Sequence, residues 1–153
     1  MKNYKHYTES IYYQFEQTAK YCKYLGIRLF QKLSIDITVD EYSALDIIVQ
    51  HDGICQRDLA RIILKDRANT GRILNSLESK GYIERFADVK NNRLVRKMKL
   101  TKFGKEKYEV ISELLRGYID KIPKFFSDKN RKDLLELIIN FRNSLEKEVE
   151  MNI

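Results

Sequence analysis

One segment decides the fold of this 153-residue chain: Asp66-Arg67-Ala68-Asn69-Thr70-Gly71-Arg72-Ile73-Leu74-Asn75-Ser76-Leu77-Glu78-Ser79-Lys80-Gly81-Tyr82-Ile83. Asp66 is its predicted N-cap, because a short acceptor side chain satisfies the free backbone N–H groups at a helix start. An apolar side follows at helical spacing, formed by Thr70, Ile73, Leu74 and Leu77. Gly81 ends the segment, so the pattern predicts an amphipathic helix from about Arg67 to Lys80.

Further helices are predicted before this segment. A short one covers roughly Gln56 to Leu64, and a strand is expected near residues 53–55. Thr38 and Glu41 have the spacing of a capping box, which starts another helix that ends at Asp52-Gly53. Residues 7–33 carry apolar side chains at steps of three and four, which predicts a long first helix.

A β-hairpin is predicted after the segment. Residues 82–86 and 94–100 are β-prone, and the polar stretch 88–93 lies between them. Thr101 then caps a third long helix, and Ser127 or Asp128 caps the last one. The fold class is therefore mainly α with a small β-hairpin wing: a winged helix-turn-helix domain plus N- and C-terminal dimerisation helices.

We expect one compact chain with three parts, namely an N-terminal dimerisation helix (1–36), the winged helix-turn-helix domain (37–100) and the C-terminal dimerisation helices (101–153). The outer helices have apolar stripes that must be buried somewhere, and a homodimer interface is the simplest solution. A monomer in which these helices form a bundle on the central domain is the alternative.

Charge is concentrated in one third of the sequence. Residues 55–105 contain fourteen Lys and Arg against five Asp and Glu, a net charge of +9. The whole chain carries +7, so the remainder carries −2. A concentrated positive field attracts a polyanion such as nucleic acid, although a Lys-rich solvated surface would give the same count.

Composition excludes several other classes of protein. We find no apolar run long enough for a membrane span and no secretory signal, so we expect a cytoplasmic protein. Two cysteines, Cys22 and Cys55, cannot form a disulfide framework. No nucleophile–base pair, metal-ligand spacing or phosphate-binding glycine loop is visible, so we expect no enzyme, cofactor or metal.

The ordered motifs over about residues 37–105 resemble the multiple-antibiotic-resistance regulator (MarR) family of winged helix-turn-helix transcriptional regulators. Residues 56–60 resemble the first helix of its helix-turn-helix, and residues 66–83 its recognition helix. Arg85 with residues 88–93 resembles its wing, and Leu100-Thr101-Lys102-Phe103-Gly104 its Leu-Thr-x-x-Gly signature. The resemblance implies a homodimer that binds double-stranded DNA.

A recognition helix places its exposed side chains against base edges in the major groove. The face opposite the apolar side contains the predicted base-reading residues Ala68, Asn69, Gly71, Arg72, Asn75 and Ser76. Arg72 suits guanine and Asn69 suits adenine, because each can form paired hydrogen bonds with that base. Gly71 would allow a close approach either to the sugar–phosphate chain or to a neighbouring helix.

The wing and several cations are predicted to hold the DNA backbone. The resemblance places Arg93 of the wing in the minor groove, and Asp88 braces it or caps the turn. A simple Asp–Arg turn pair is the alternative. Lys90 of the wing is predicted to contact phosphate. The predicted phosphate contacts are Arg57, Lys65, Arg67, Arg85 and Arg96.

The resemblance also implies a small aromatic or anionic effector. Tyr21, Tyr24 and Arg28 are the candidate pocket residues on the first helix, since an arginine can hold a carboxylate. The alternative is that these tyrosines pack at a dimer interface. We expect a repressor that binds a palindromic operator; a winged-helix module for protein interaction or nonspecific nucleoid binding is the alternative.

Overall fold

The computed structural model describes residues 5–90, 92–119 and 127–149, without the side chains of Lys90, Arg93 and Ile119. After a 3₁₀ turn at Tyr7–Glu9, the elements in these ranges are α1 (Ile11–Lys32), α2 (Val39–Gln50), α3 (Gln56–Ile62), α4 (Arg67–Ser79), β1 (Ile83–Lys90), β2 (Arg93–Leu100), α5 (Lys102–Ile119) and α6 (Asp128–Glu148). The expected fold class, mainly α with a β-hairpin, is confirmed.

Polar caps set the helix boundaries. The capping box of Thr38 and Glu41 is present at the start of α2, and Asp66 accepts a hydrogen bond from the backbone N–H of Asn69 at the start of α4. Ser127 caps α6. Helix α1 begins four residues later than the predicted residue 7, because Ser10 accepts a hydrogen bond from the backbone N–H of Tyr13 and caps the helix there.

The hairpin is a two-stranded antiparallel sheet in which Ile83 pairs with Leu100 and Lys90 with Arg93. The strand expected near residues 53–55 is reduced to a single bridge between Cys55 and Lys97. Even so, the backbone N–H of Met98 donates to the carbonyl of Ile54 at 3.2 Å. This bond fastens the hairpin to the segment that precedes α3.

The core lies where α2, α3, α4 and the base of the hairpin meet. Its centre is fully buried and includes Leu45, Leu59, Leu74, Leu77, Tyr82 and Met98. Helix α1 adds Phe30 to this core, and α5 adds Ile111 and Leu115. Burial on this scale is the main stabilising contribution to a domain of this size, so the core gives α4 a rigid support.

Helix α5 starts at an unusually close approach to the hairpin. Thr101 accepts a hydrogen bond from the backbone N–H of Gly104 at 2.9 Å, which confirms the predicted cap. A Cβ atom at Gly104 would lie 1.8 Å from the carbonyl oxygen of Tyr82, so only glycine fits. Farther along, Tyr108 donates to Asp46 of α2 at 2.6 Å.

None of the helices in the described ranges has both the length and the apolar character that crossing a membrane requires.

Candidate nucleic-acid interface

Helix α4 presents an exposed polar face on a rigid support. Its inner side buries Thr70, Leu74 and Leu77, which pack into the core. On the outer side the exposed residues include Ala68, Asn69, Arg72 and Asn75. Because the buried side fixes the rotation of the helix, these four predicted base-reading residues are held together on one surface.

A chain of hydrogen bonds runs along this face at a spacing of three residues. The side-chain amide of Asn69 donates to Asp66 at 2.6 Å, and Arg72 donates through Nη1 to Asn69 Oδ1 at 3.2 Å. The bond from the backbone of Asn69 lowers the pKa of Asp66, and the side-chain bond and the charge of Arg72 act in the same direction. The i, i+3 spacing could have suggested these contacts from the sequence.

Two predicted base-reading residues lie differently. Ser76 is half-buried, and its hydroxyl is one of the groups that lower the pKa of Glu41 on α2, so it faces the body of the protein. Gly71 is also half-buried, and a Cβ atom there would lie 3.5 Å from Nε2 of Gln56 on α3. The helix rotation that buries Leu74 turns both positions away from the exposed face.

Glu41 is the centre of a network that sequence reasoning missed. Its carboxylate is almost fully buried and accepts bonds from Lys80 Nζ at 2.9 and 3.2 Å. Burial raises the pKa of Glu41, but hydrogen bonds from Ser76, the Thr38 backbone and Lys80 outweigh it, so the pKa lies below its ordinary value. The network ties the end of α4 to the start of α2.

A second connection runs through Tyr82, which is fully buried at the start of the hairpin. Its hydroxyl donates to Asp36 at 2.6 Å, and Lys80 Nζ also donates to the Asp36 carbonyl at 2.9 Å. Burial and the contact with Asp36 raise the pKa of Tyr82 far above its ordinary value, so the phenol remains a donor. The loop after α1 is thereby bound to both α4 and the hairpin.

Arg85, predicted as a phosphate contact, is mostly buried and forms an ion pair with α4. Its side chain is 15% exposed and forms an ion pair with Glu78 of α4, in which Nε donates at 3.0 Å. The guanidinium also donates through Nη2 to Asn75 Oδ1 at 2.8 Å. The hydrogen bond from Arg85 lowers the pKa of Glu78. Arg85 therefore fixes β1 against α4 and orients Asn75.

The other predicted phosphate contacts differ in exposure and in the ion pairs that they form. Arg57, Arg67 and Arg96 are exposed, and Arg57 lies 3.8 Å from the neighbouring carboxylate of Asp58. Lys65 is more constrained, because its Nζ is 3.1 Å from Asp40 of α2. Exposed arginine side chains can move toward a polyanion, whereas Lys65 would first have to break its ion pair with Asp40.

In the wing, Asp88 has a partner that the sequence did not suggest. One of its carboxylate oxygens lies 2.6 Å from Lys97 Nζ, and the other accepts the backbone N–H of Val89 at 2.7 Å. The side chains of Lys90 and Arg93 lie outside the described part of the chain, so their predicted wing role stays a prediction. Their backbones close the hairpin next to Asn92, whose φ is 58°.

The candidate effector residues lie on one side of α1. Tyr21 is 74% exposed and Tyr24 is 64% exposed, and Arg28 is exposed as well. One chain therefore does not enclose them. Cys22 is exposed on the same helix, whereas Cys55 is buried at the start of α3.

A short helix, a capped second helix with an exposed polar face, and an adjoining two-stranded hairpin together define a winged helix-turn-helix protein. Residues 37–95 match the sequence model of the MarR family. The winged helix-turn-helix body is therefore similar to the DNA-binding domain of that family, which supports a DNA-binding transcriptional regulator.

Two curated proteins of Bacillus subtilis (strain 168) are similar in sequence. The HTH-type transcriptional regulator YybA is 26% identical over 116 residues, which cover 76% of this chain and 77% of that protein. The HTH-type transcriptional regulator YdgJ is 25% identical over 123 residues, covering 80% of this chain and 73% of that one.

Solved structures share the fold over nearly the whole chain. The transcriptional regulator SlyA superimposes with a TM-score of 0.77 at 22% identity, covering 91% of this chain and 96% of that one. Staphylococcus aureus MepR in complex with DNA has a TM-score of 0.74 at 19% identity, covering 89% of this chain and 98% of MepR. The fold match includes α1 and α6 as well as the winged domain, because it spans about nine tenths of the sequence.

Proposed function

We propose that this protein binds a palindromic DNA operator as a homodimer and represses transcription by occupying it. The observation that supports this best is the exposed face of α4, where Asn69, Arg72 and Asn75 lie together on a helix fixed by the core. Such a helix fits the major groove, and the adjoining hairpin would reach the neighbouring minor groove. A member of the same fold, MepR, has been crystallised with DNA.

Dimerisation would proceed through α1 and α6. Helix α6 buries none of its described residues, and it exposes Leu134, Leu135, Leu137, Ile138 and Ile139. Its contacts with α1 in the same chain include Phe141 stacked on Phe15, with ring centroids 4.9 Å apart. A second copy would cover the remaining apolar surface, and two-fold symmetry would place two α4 helices about one DNA turn apart.

An effector would bind next to α1. Tyr21, Tyr24 and Arg28 supply two aromatic rings and a cation on one exposed side, which suits an aromatic or anionic molecule. The site would be enclosed only when the dimer covers this side of α1. Binding of such a molecule would then change the separation of the two reading helices.

The DNA-binding proposal is tested by measuring affinity for promoter DNA from the parent genome and for scrambled DNA at several salt concentrations. A specific regulator keeps a preference of about 10³-fold or more for its site, and its affinity falls steeply as salt rises. Arg72→Ala should reduce that preference at least about tenfold, since a bidentate arginine–guanine contact carries about 1–3 kcal/mol.

A matched variant separates base reading from simple charge loss. Arg116→Ala removes the same charge from an exposed position on α5, outside the proposed interface. It should leave the preference unchanged. Equal affinity of the wild-type protein for promoter and scrambled DNA would contradict a sequence-specific regulator and favour nonspecific binding.

A further inference from the structure

The side chains around the exposed face of α4 restrict which bases it can read. This inference rests on the proposed function, because it concerns the same helix in the major groove. We infer that α4 reads DNA with hydrogen-bond donors only, through Arg72 and Asn75, and that Asn69 is a positioning residue for Arg72. The half-site would then present acceptors, namely guanine N7 and O6 or thymine O4, to these two residues.

The orientation of the Asn75 amide follows from its neighbour. Arg85 donates to Asn75 through Nη2 at 2.8 Å. A guanidinium has donors and no acceptor, so only the carbonyl oxygen of Asn75 can face it. The NH₂ group of this exposed residue is consequently the part left for a partner in solution.

Arg85 is itself held firmly enough to impose this orientation. It bonds to Glu78 through both Nε and Nη2, and its side chain is largely buried. Charge-assisted contacts of this kind are stronger than hydrogen bonds between neutral groups. A base that needed the Asn75 oxygen would have to compete with a cation already bound to it.

Asn69 is bound at both ends of its amide. Arg72 has only donors and therefore faces Oδ1, whereas the carboxylate of Asp66 has only acceptors and faces Nδ2. The backbone N–H of Asn69 donates to the other carboxylate oxygen of Asp66 at 2.7 Å. This arrangement directs the amide toward the start of the helix, so paired bonds to adenine would have to compete with both partners for its orientation.

Arg72 is the remaining residue on this face that can form strong hydrogen bonds with base edges. Nη1 is engaged by Asn69, which leaves the other N–H groups of the guanidinium for DNA. In the major groove guanine presents two acceptors, adenine an acceptor beside a donor, and cytosine a donor. A donor-only surface therefore selects guanine first, then thymine O4, and disfavours cytosine.

Selection of bound sequences from a random DNA library, with the full-length protein, tests this inference. Wild type should select guanine at one position in each half-site, and Arg72→Ala should lose that preference. Asn69→Ala should keep the same motif while its preference for guanine at that position falls about threefold to tenfold. A purely structural role of Asn69 would lower affinity without changing the preference at one position.

Asn75→Asp replaces the outward donors with acceptors and keeps the shape of the side chain. It still offers an oxygen to Arg85, so the fold should persist, which thermal melting checks. The preference for guanine or thymine at a second position should fall about tenfold, with cytosine gaining. Asn140→Asp, the same change at an exposed position on α6, should leave every preference unchanged.

Two results would overturn the inference while leaving the proposed function intact. One is an adenine preference in the wild-type motif that disappears in Asn69→Ala. The other is an Asn75→Asp motif identical to that of wild type. If the folded wild-type protein enriched no motif at all, the proposed function would fail, and the inference with it.

Discussion

The winged helix-turn-helix body and the terminal helix α6 bury their apolar residues to very different extents. In the body, Leu45, Leu74 and Tyr82 are completely buried by residues of the same chain. Helix α6 has no buried residue in its described length, and Leu135 there is 59% exposed. Exposed apolar surface on this scale marks an interaction site. The body therefore buries its apolar residues within one chain, whereas α6 leaves an apolar side exposed that the proposed second copy would cover.

The largest expected effect tests how tightly the body is packed. In Gly104→Ala the new Cβ would lie 1.8 Å from the Tyr82 carbonyl, so the start of α5 would have to move away from the hairpin. Overpacking against a backbone atom costs typically 1–3 kcal/mol and here about 3 kcal/mol or more. Denaturant unfolding monitored by circular dichroism should show this loss.

Gly117 provides the control on the same helix. A Cβ atom there would have no neighbour within 4 Å, so Gly117→Ala should stabilise the protein by up to about 1 kcal/mol through helix propensity. If Gly104→Ala were as stable as wild type, the close approach of α5 to the hairpin would not be a constraint on the body.

The next effect tests the terminal helices. Leu135→Glu places a charge on the exposed apolar side of α6, where the proposed second copy would cover it. Burial of an unpaired carboxylate is costly, so the dissociation constant of the dimer should rise by at least about 30-fold. Analytical ultracentrifugation over a range of concentrations measures this, and the melting of the body should change little.

Val49→Glu is the matched control for this substitution. Val49 is 41% exposed on α2 of the body, so the change in chemistry is the same but the location differs. The association of this variant should equal that of wild type. An unchanged mass in Leu135→Glu, or equal losses in both variants, would contradict dimerisation through α6.

The distance along the chain between two contacting residues decides whether the sequence could predict their contact. The caps at Thr38 and Asp66 were predictable, because each depends on residues three positions apart. The bond between Lys80 and Glu41 joins residues 39 positions apart, and that between Tyr82 and Asp36 joins residues 46 apart. Spacing along the chain carries no signal for such pairs, since the packing of other elements brings them together.

The candidate interface shows the same limit. Helical periodicity identified Asn69 and Arg72 on the exposed side of α4, but it also placed Gly71 and Ser76 there, which the structure half-buries. It failed to show that Arg85 is held by Glu78, because the contact depends on how β1 lies beside α4. Charge alone made Arg85 look like the other basic residues, so its contacts with Glu78 and Asn75 could be found only from the structure.

A smaller effect comes from the buried carboxylate in the body. Glu41→Gln removes the charge that Lys80 faces, and we expect a loss of about 1–2 kcal/mol at neutral pH, moderated because Lys80 is a third exposed. The folded-state pKa of Glu41 lies below its ordinary value near 4.5, so the ionised form favours the folded state. Its contribution is full above that pH and is lost as pH falls through the folded-state pKa.

Unfolding at several pH values measures this dependence. The difference between wild type and Glu41→Gln should shrink in acid below about pH 4.5. Glu84→Gln, which disrupts an exposed pair with Lys99, should cost less than about 1 kcal/mol at any pH. If the difference in the free energy of unfolding between wild type and Glu41→Gln stayed constant as the pH fell below about 4.5, a stabilising role for the charge of Glu41 would be contradicted.

The smallest effect concerns Gly71, on the side of α4 that faces α3. A Cβ atom there would meet Gln56 at 3.5 Å, an ordinary contact distance, so Gly71→Ala should fit and stabilise α4 by about 1 kcal/mol. Because that Cβ points toward α3, DNA affinity should stay within about twofold of wild type. A gain in stability as large as that of Gly117→Ala, combined with a tenfold loss of affinity, would instead place Gly71 against the DNA backbone.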